Sequence, residues 1–365
     1  MTDLLDLLVI GGGPAGLATA IRARLAGMSV SVIDRARPPI DKACGEGLMP
    51  DAVARLREIG VEPRGLPFRG IRYFDAGRMA EGIFPQAGGL GVRRIELHEA
   101  LVRRAGEVGV DLRWGVKAEG LSGEDVETDQ GVLRSRWIVG ADGLRSRVRQ
   151  WAGLDAGEAP LRRFGVRRHF GIAPWSDFVE VYWGPGCEAY VTPVAPDQVG
   201  VAFLWSGRKA DFDDLLETLP DLKARLAGAP AVSRDRGTGP LRQRVRAVRR
   251  GNVALVGDAA GYFDAITGEG MAVAFHESAA LVEAITAGNL DRYAAAHRAI
   301  NRLPDFMTGL VLALESRPRL RARAVRALAA EPALFSKLLG IHARTLPPRR
   351  LGMGALRLAW RLVAA

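Results

Sequence analysis

Between Asp6 and Asp34 the chain reads DLLVI, GGGPAG, LATAIRARLAG and SVSVID, in that order. An apolar run of strand length is followed by a glycine cluster, a helix ending at Gly27, and a β-branched strand that closes on Asp34. Few folds accept that succession. Gly11 allows the tight turn, Gly13 lets backbone approach a pyrophosphate, and Gly16 lets the helix pack closely on the strand. Free amides at the helix start meet the phosphates. Asp34, 18 residues beyond Gly16, is placed to accept hydrogen bonds from an adenosine ribose. The unit is one for an adenine dinucleotide, and alone it does not separate NAD from FAD.

A second cluster, GDAAGYFDAITGEG from Gly257 to Gly270, makes that separation. The strand Val253 to Val256 delivers Asp258 at its carboxyl end, where open α/β sheets bind ligands. Next, TGEGMAVAFHESAALVEAI reads as a helix whose start is cleared by Gly268 and Gly270. A carboxylate suits the hydroxyls of a ribityl chain. A helix amino terminus suits the negative charge that collects at N1 and C2=O of a reduced isoalloxazine. Two clusters so far apart in sequence would hold the two ends of one FAD.

Length, charge and cysteines exclude other classes. The chain has 365 residues, enough for two joined domains, with 48% hydrophobic and 25% charged residues, as in ordinary globular proteins. Two cysteines, Cys44 and Cys187, give no disulfide framework, and no metal-ligand spacing is present, so no metal is expected. The apolar start lacks a basic leader and is broken by glycines and Pro14, which points to a cytoplasmic protein. The net charge is +10, but from Asn301 onward eleven Arg and Lys337 face only Asp305, Glu315 and Glu331. The excess lies in the tail, with no aromatic–basic stripe, so no nucleic-acid partner is expected.

Three motifs, GGGPAG, VGADGLRSRVR at Val139 to Arg149, and GDAAGYFDAITGEG, carry a resemblance in order and spacing. The chain resembles FAD-dependent oxidoreductases of the para-hydroxybenzoate hydroxylase-like superfamily, which includes class A monooxygenases and geranylgeranyl reductases. The resemblance implies that Asp142 and Gly143 lie near FAD and a visiting nicotinamide, and that Arg93 or Arg94 meets the phosphate or ribityl region. It also implies that Val116, in the strand LRWGV, makes a backbone contact to adenine. Pro14, Ala15, Arg35, Gly45, Gly257, Glu269 and Met271 complete the expected cofactor contacts. KACGEGLMP resembles the CGGGL region of geranylgeranyl reductases, where a cysteine lies beside the flavin, so Cys44 is expected there. Gly261 stands where many aromatic hydroxylases have histidine. The aromatic-rich lipid-binding motif of the reductases has no match, nor has the Trp-x-Trp-x-Ile-Pro signature of flavin halogenases.

The expected fold is α/β: a Rossmann-like FAD-binding domain from segments 1–70, 91–155 and 240–300, with an inserted antiparallel substrate sheet from 71–90 and 156–239. A helical region, 301–365, follows. In FVEVYW, Val179, Val181 and Trp183 share one strand face and Glu180 and Tyr182 the other. Cys44, Glu46, His169 and Tyr190 are the catalytic candidates, whereas His276 reads as structural. The first-ranked reaction is NAD(P)H-dependent monooxygenation of a hydrophobic aromatic or unsaturated molecule by molecular oxygen. Geranylgeranyl reductase-like reduction of isoprenoid C=C bonds is the alternative, and a flavin-binding module without turnover the third. With no second glycine fingerprint, the nicotinamide would be a transient donor, or a separate reductase would supply electrons. The segment LGMGALRLAWRLVAA, 351–365, is expected to pack as a terminal helix or to touch an anionic membrane surface.

Overall fold

The computed structural model describes residues 4–158, 162–207 and 210–352. Its first sheet runs, in spatial order, Asp111–Trp114, Val30–Asp34, Leu5–Ile10, Gly131–Gly140 and Val253–Leu255, all parallel, with Arg249–Arg250 antiparallel on the last edge. Leu7, Leu8, Val9 and Val32 are fully buried. Helices cover both faces, which is why these strands read as apolar runs rather than alternations. The helix Pro14–Leu25 packs on Gly270–Thr286, where Thr19 Oγ1 donates to Ser278 Oγ at 2.9 Å. His276 Nε2 lies 2.6 Å from Asp51 Oδ2 and ties Gly270–Thr286 to the helix Pro50–Glu58. Val116 falls outside the strand LRWGV: the strand ends at Trp114, Gly115 turns at φ +80°, and the amides of Gly115 and Val116 both donate to Asp34 O.

The second sheet runs Arg236–Thr238, Arg163–Phe170, Gln198–Ser206, Cys187–Ala195, Phe178–Gly184, Gly70–Asp75 and Arg78–Ile83. Every neighbouring pair is antiparallel except Phe178–Gly184 with Gly70–Asp75, which is parallel. Those two strands belong to separate excursions of the chain, so no hairpin joins them. Both faces of Phe178–Gly184 are buried. Val179, Val181 and Trp183 pack with Phe68, Ile71 and Leu204, while Tyr182 joins Phe203 and Phe212 on the other side. Glu180, on that second face, accepts from Arg72 Nη1 at 3.0 Å, Trp175 Nε1 at 2.9 Å and Tyr182 OH at 2.7 Å.

Three helices follow, Leu290–Glu315, Pro318–Ala330 and Pro332–His342, so the terminal helical stretch opens at residue 290. Pro318–Ala330 and Pro332–His342 lean on the Gly70–Ile83 edge of the second sheet. Phe335 stacks on Tyr73 with ring centroids 5.4 Å apart, and Arg321 Nε donates to Asp75 Oδ1 at 2.9 Å. Of the segment 351–365, residues 353–365 lie outside the described residues. Among the described residues, no helix is long and apolar enough to cross a membrane.

Candidate active site

The glycine turn is fixed by backbone crowding. Gly11, at φ +115°, has no room for a side chain, since a Cβ there would stand 2.3 Å from Ala141 O. A Cβ on Gly16 would stand 2.0 Å from Gly11 O, so helix and turn touch through bare backbone. Gly13 is open, and a Cβ there would meet only Arg94 Nη2, at 4.0 Å. Pro14 and Ala15 open the helix beside it, and no side chain caps this helix. Asp34 braces the turn from behind: Oδ2 accepts from Gly12 N and Oδ1 from Ala36 N, each at 2.8 Å. His98, absent from the expected set, is fully buried with Nε2 2.9 Å from Gly12 O, while Ile40 N donates to its Nδ1 at 3.4 Å. Burial pushes its pKa down, so the ring is neutral and Nε2–H donates to the turn. His98 and Arg94 share the helix Arg94–Glu107 one turn apart, and that phase was the available signal.

The two adjacent arginines part company. Arg94, the first residue of its helix, is buried and lines the cavity; its Nη1 reaches Met271 Sδ at 3.9 Å, and its Nε has no hydrogen-bond partner among the described residues. Arg93 turns to Gln198 Oε1 at 3.4 Å and does not line the cavity. Asp142 Oδ2 accepts from Arg147 N at 2.7 Å at the start of the short helix that Ser146 caps, while its buried Oδ1 has no partner among the described residues. Arg35, Gly45 and Gly143 also line the cavity.

At the other cluster, Gly257 N donates to Glu277 Oε2 at 2.8 Å, and Asp258 follows in a single 3-10 turn. The Asp258 carboxylate stands on the cavity wall and is exposed to the cavity, and no group among the described residues hydrogen-bonds it. Burial raises its pKa, against the pull of Arg94 and Lys42. Gly268, at φ +70°, and Gly270 clear the start of the helix Gly270–Thr286, which has neither a side-chain cap nor an acid in its first turn. Met271 lines the cavity there, whereas Glu269 turns away and places its carboxylate 3.2 Å from His342 Nδ1.

Between the clusters runs the loop 41–46. Cys44 lines the cavity, and burial pushes its thiol pKa up, so it stays protonated at neutral pH. Glu46 sits at φ +60°, with Oε1 accepting from Arg94 N at 2.7 Å and Oε2 2.6 Å from His169 Nε2. His169 is fully buried, does not line the cavity, and rests its Nδ1 2.9 Å from Ser233 Oγ. Arg167, which sequence reasoning missed, joins this group: Nη1 lies 3.0 Å from His169 Nδ1, and Nη2 donates to Asp41 Oδ1 at 2.5 Å. Burial alone would raise the Asp41 pKa, but Arg167 and Arg236 hold it below the usual range. Glu46 and His169 therefore clamp the Cys44 loop to the second sheet. Tyr190 lines the cavity and donates to Ile266 O at 2.8 Å; Tyr262 also lines it, and burial holds both phenols protonated.

The cavity measures about 1230 Å³. Ordinary small-molecule pockets span roughly 300–1,000 Å³. It starts at Gly13, Arg94, Asp142 and Asp258, passes along Val179, Val181 and Leu204, and continues between Leu303, Phe306, Leu310, Val325 and Leu338 of the terminal helices. One end is polar and lined by glycine, and the remainder is mainly aliphatic and aromatic, with Arg321 and His342 among it. Unpartnered Arg94 Nε, unpartnered Asp142 Oδ1 and the free Asp258 carboxylate fit a pyrophosphate and a polyhydroxyl chain, so the residues present fit FAD.

A parallel sheet with a glycine turn, a distant acid–glycine cluster and a covering second sheet defines an FAD-dependent oxidoreductase. Residues 5–73 match the family model described as an FAD binding domain. A menaquinone reductase of Mycobacterium tuberculosis is 30% identical, over 74% of this chain and 73% of its own. A digeranylgeranylglycerophospholipid reductase of Methanosarcina acetivorans is 28% identical, over 80% of this chain and 78% of its own. The crystal structure of a flavoprotein/dehydrogenase from Cytophaga hutchinsonii superposes with a TM-score of 0.83, at 16% identity and full coverage of both chains. That of p-nitrophenol 4-monooxygenase from Pseudomonas putida gives 0.78 at 20% identity, over 93% of this chain and 97% of its own. The chain belongs to the FAD-dependent oxidoreductases of the para-hydroxybenzoate hydroxylase-like superfamily, where its sequence relatives are reductases, and it shares the fold of the monooxygenase.

Proposed function

We propose that the protein reduces carbon–carbon double bonds in a long apolar molecule of isoprenoid type. The observation that carries this reading is the cavity, which leads from the polar cradle into a passage walled by aliphatic and aromatic side chains of the second sheet and the terminal helices. Relatives named as reductases of menaquinone and of a digeranylgeranyl lipid support it. Monooxygenation, ranked first from the sequence, is the competing outcome of the same test.

Bound FAD supplies the hydride. The chain's own groups hold, orient and protonate. Arg94 and the turn amides would hold its pyrophosphate, Asp258 its ribityl hydroxyls, and the start of the helix Gly270–Thr286 its pyrimidine edge. Saturating a double bond takes one hydride and one proton, and an apolar cavity holds little water to give the proton. Cys44 Sγ–H and the phenols of Tyr73, Tyr190 and Tyr262 are protonated groups on its wall. Electrons would come from NAD(P)H visiting near Asp142 and Gly143, or from a separate reductase.

Anaerobic incubation of the FAD-loaded protein with menaquinone or a geranylgeranyl lipid and a chemical flavin reductant tests this. The expected product is two hydrogens heavier at an isoprenoid carbon–carbon bond, as distinct from reduction of the quinone ring, which the reductant alone brings about. Product that forms only with oxygen and carries one oxygen atom would establish monooxygenation instead.

A further inference from the structure

Leu303, Phe306, Met307, Leu310, Val311 and Leu314 recur at helical spacing on Leu290–Glu315 and form one continuous apolar face. All six line the cavity. Phe306 is 67% exposed and Leu310 46%, whereas Leu303, Met307, Val311 and Leu314 of the same face are half-buried. Phe306 and Leu310 stand at the cavity mouth. Large apolar side chains exposed side by side at the entrance of a binding passage mark an interaction surface rather than scatter.

The charge around that mouth has one sign in excess. Arg302, exposed, lies one turn before Phe306 on the same helix face. The next helix turns Ala324, Val325 and Leu328 to the cavity and leaves Arg319, Arg323 and Arg326 exposed. Among the described residues from 301 onward, ten basic residues stand against three acidic ones. One of those acids, Glu315, points inward to Arg163 at 3.4 Å.

We infer that this mouth docks on an anionic lipid bilayer, with Phe306 and Leu310 entering the headgroup–acyl boundary and the flanking arginines meeting the headgroups. Apolar residues inserted beside basic ones are how peripheral proteins hold a membrane surface. Continuity with the cavity selects a bilayer over a protein partner, because the passage that opens here is itself shaped for a molecule that resides in lipid. This last step rests on the double-bond reductase reading, but binding to vesicles requires no turnover and is measured apart from it.

The test is co-sedimentation of the full FAD-loaded chain with vesicles of phosphatidylglycerol and phosphatidylcholine, and with phosphatidylcholine alone. Expected is binding to the anionic vesicles at low salt, weakened at high salt, and reduced at least tenfold by the double substitution Phe306→Asp, Leu310→Asp. Flavin absorbance and melting temperature report whether that variant is folded. Phe306→Trp, which keeps an aromatic ring, provides a second readout: brominated lipid should quench it beyond the unsubstituted chain. The inference is overturned if the native chain ignores anionic vesicles, or if the Trp variant gains no quenching. It is overturned equally if the folded double variant still sediments while removal of residues 353–365 abolishes binding, or if light scattering shows the face joining two copies of the chain.

Discussion

The cofactor cradle and the Arg163 guanidinium of the second sheet treat charge in opposite ways. In the cradle, polar groups are left open: among the described residues Arg94 Nε and Asp142 Oδ1 have no partner, and the Asp258 carboxylate faces the cavity alone. In the sheet, Arg163 is fully buried and saturated, paired with Glu188, with Asp264 at 2.9 Å and with Ser206 Oγ at 3.2 Å. Arg163 thereby joins the second sheet to the loop that follows Asp258. A group left open is a cost to the protein that a ligand relieves, whereas a saturated one holds the architecture whether or not a ligand is present. Substitutions in the two regions should therefore fail differently.

The largest effect is expected at Gly16→Val. A Cβ there would overlap Gly11 O, which is backbone and cannot swing aside. Flavin content of the purified protein should fall to background. Normal flavin content would show that the turn is not where the dinucleotide sits.

Next comes Arg163→Met. Removing the guanidinium strands Glu188 and Asp264 in a buried place, at about 3–5 kcal/mol by analogy with other broken buried pairs. The melting temperature should drop by several degrees with and without FAD. Should the loss appear only in the FAD-bound protein, Arg163 would belong to the cofactor site.

Asp258→Ala should do the reverse. It removes a ligand contact worth roughly 0.5–3 kcal/mol, a several-fold to about hundredfold loss of FAD affinity. Asp34→Ala should resemble it only in part, because the Asp34 carboxylate also accepts from the amides of Gly12 and Ala36. Melting of the FAD-free protein should fall for Asp34→Ala and hold for Asp258→Ala.

The smallest effect concerns pH. Burial pushes the Glu188 pKa from 4.5 up to about 8, against the pull of Arg163. The folded chain then keeps a proton that the unfolded chain releases. The associated stability is present below the unfolded value and is lost as pH rises through about 8. Melting temperatures across that window should fall less steeply for Glu188→Gln than for the native chain. Parallel profiles would mean that Glu188 keeps no proton in the folded protein.

Legibility in the sequence follows the range of the interactions. The strand, glycine turn, helix and Asp34 are readable because the pattern that marks them lies within 30 residues, although the backbone that crowds Gly11 belongs to Ala141, 130 positions away. Asp258 is readable for the same reason, as a carboxylate at a strand end. Arg94 could be told from Arg93 only by helix phase, since it shares a buried face with Leu97, His98 and Leu101. The clamp of Glu46, His169 and Arg167 was not readable, because residues more than 100 positions apart meet through sheet register rather than through any local pattern. The terminal helices hid their role too. A stripe such as Leu303, Phe306 and Leu310 looks the same whether it seals a core or walls a passage, and only the placement of Tyr73 and Phe335 beside it decides.

The most direct measurement is FAD titration of the refolded, flavin-free protein, with melting temperature followed for the native chain, Asp258→Ala and Arg163→Met. If open groups bind and saturated groups build, Asp258→Ala starts at the native flavin-free melting temperature and needs more FAD to reach a given rise. Arg163→Met then starts several degrees lower and rises at the native FAD concentration. An Asp258→Ala protein that melts early without FAD yet binds it with native affinity would contradict the assignment of the cradle.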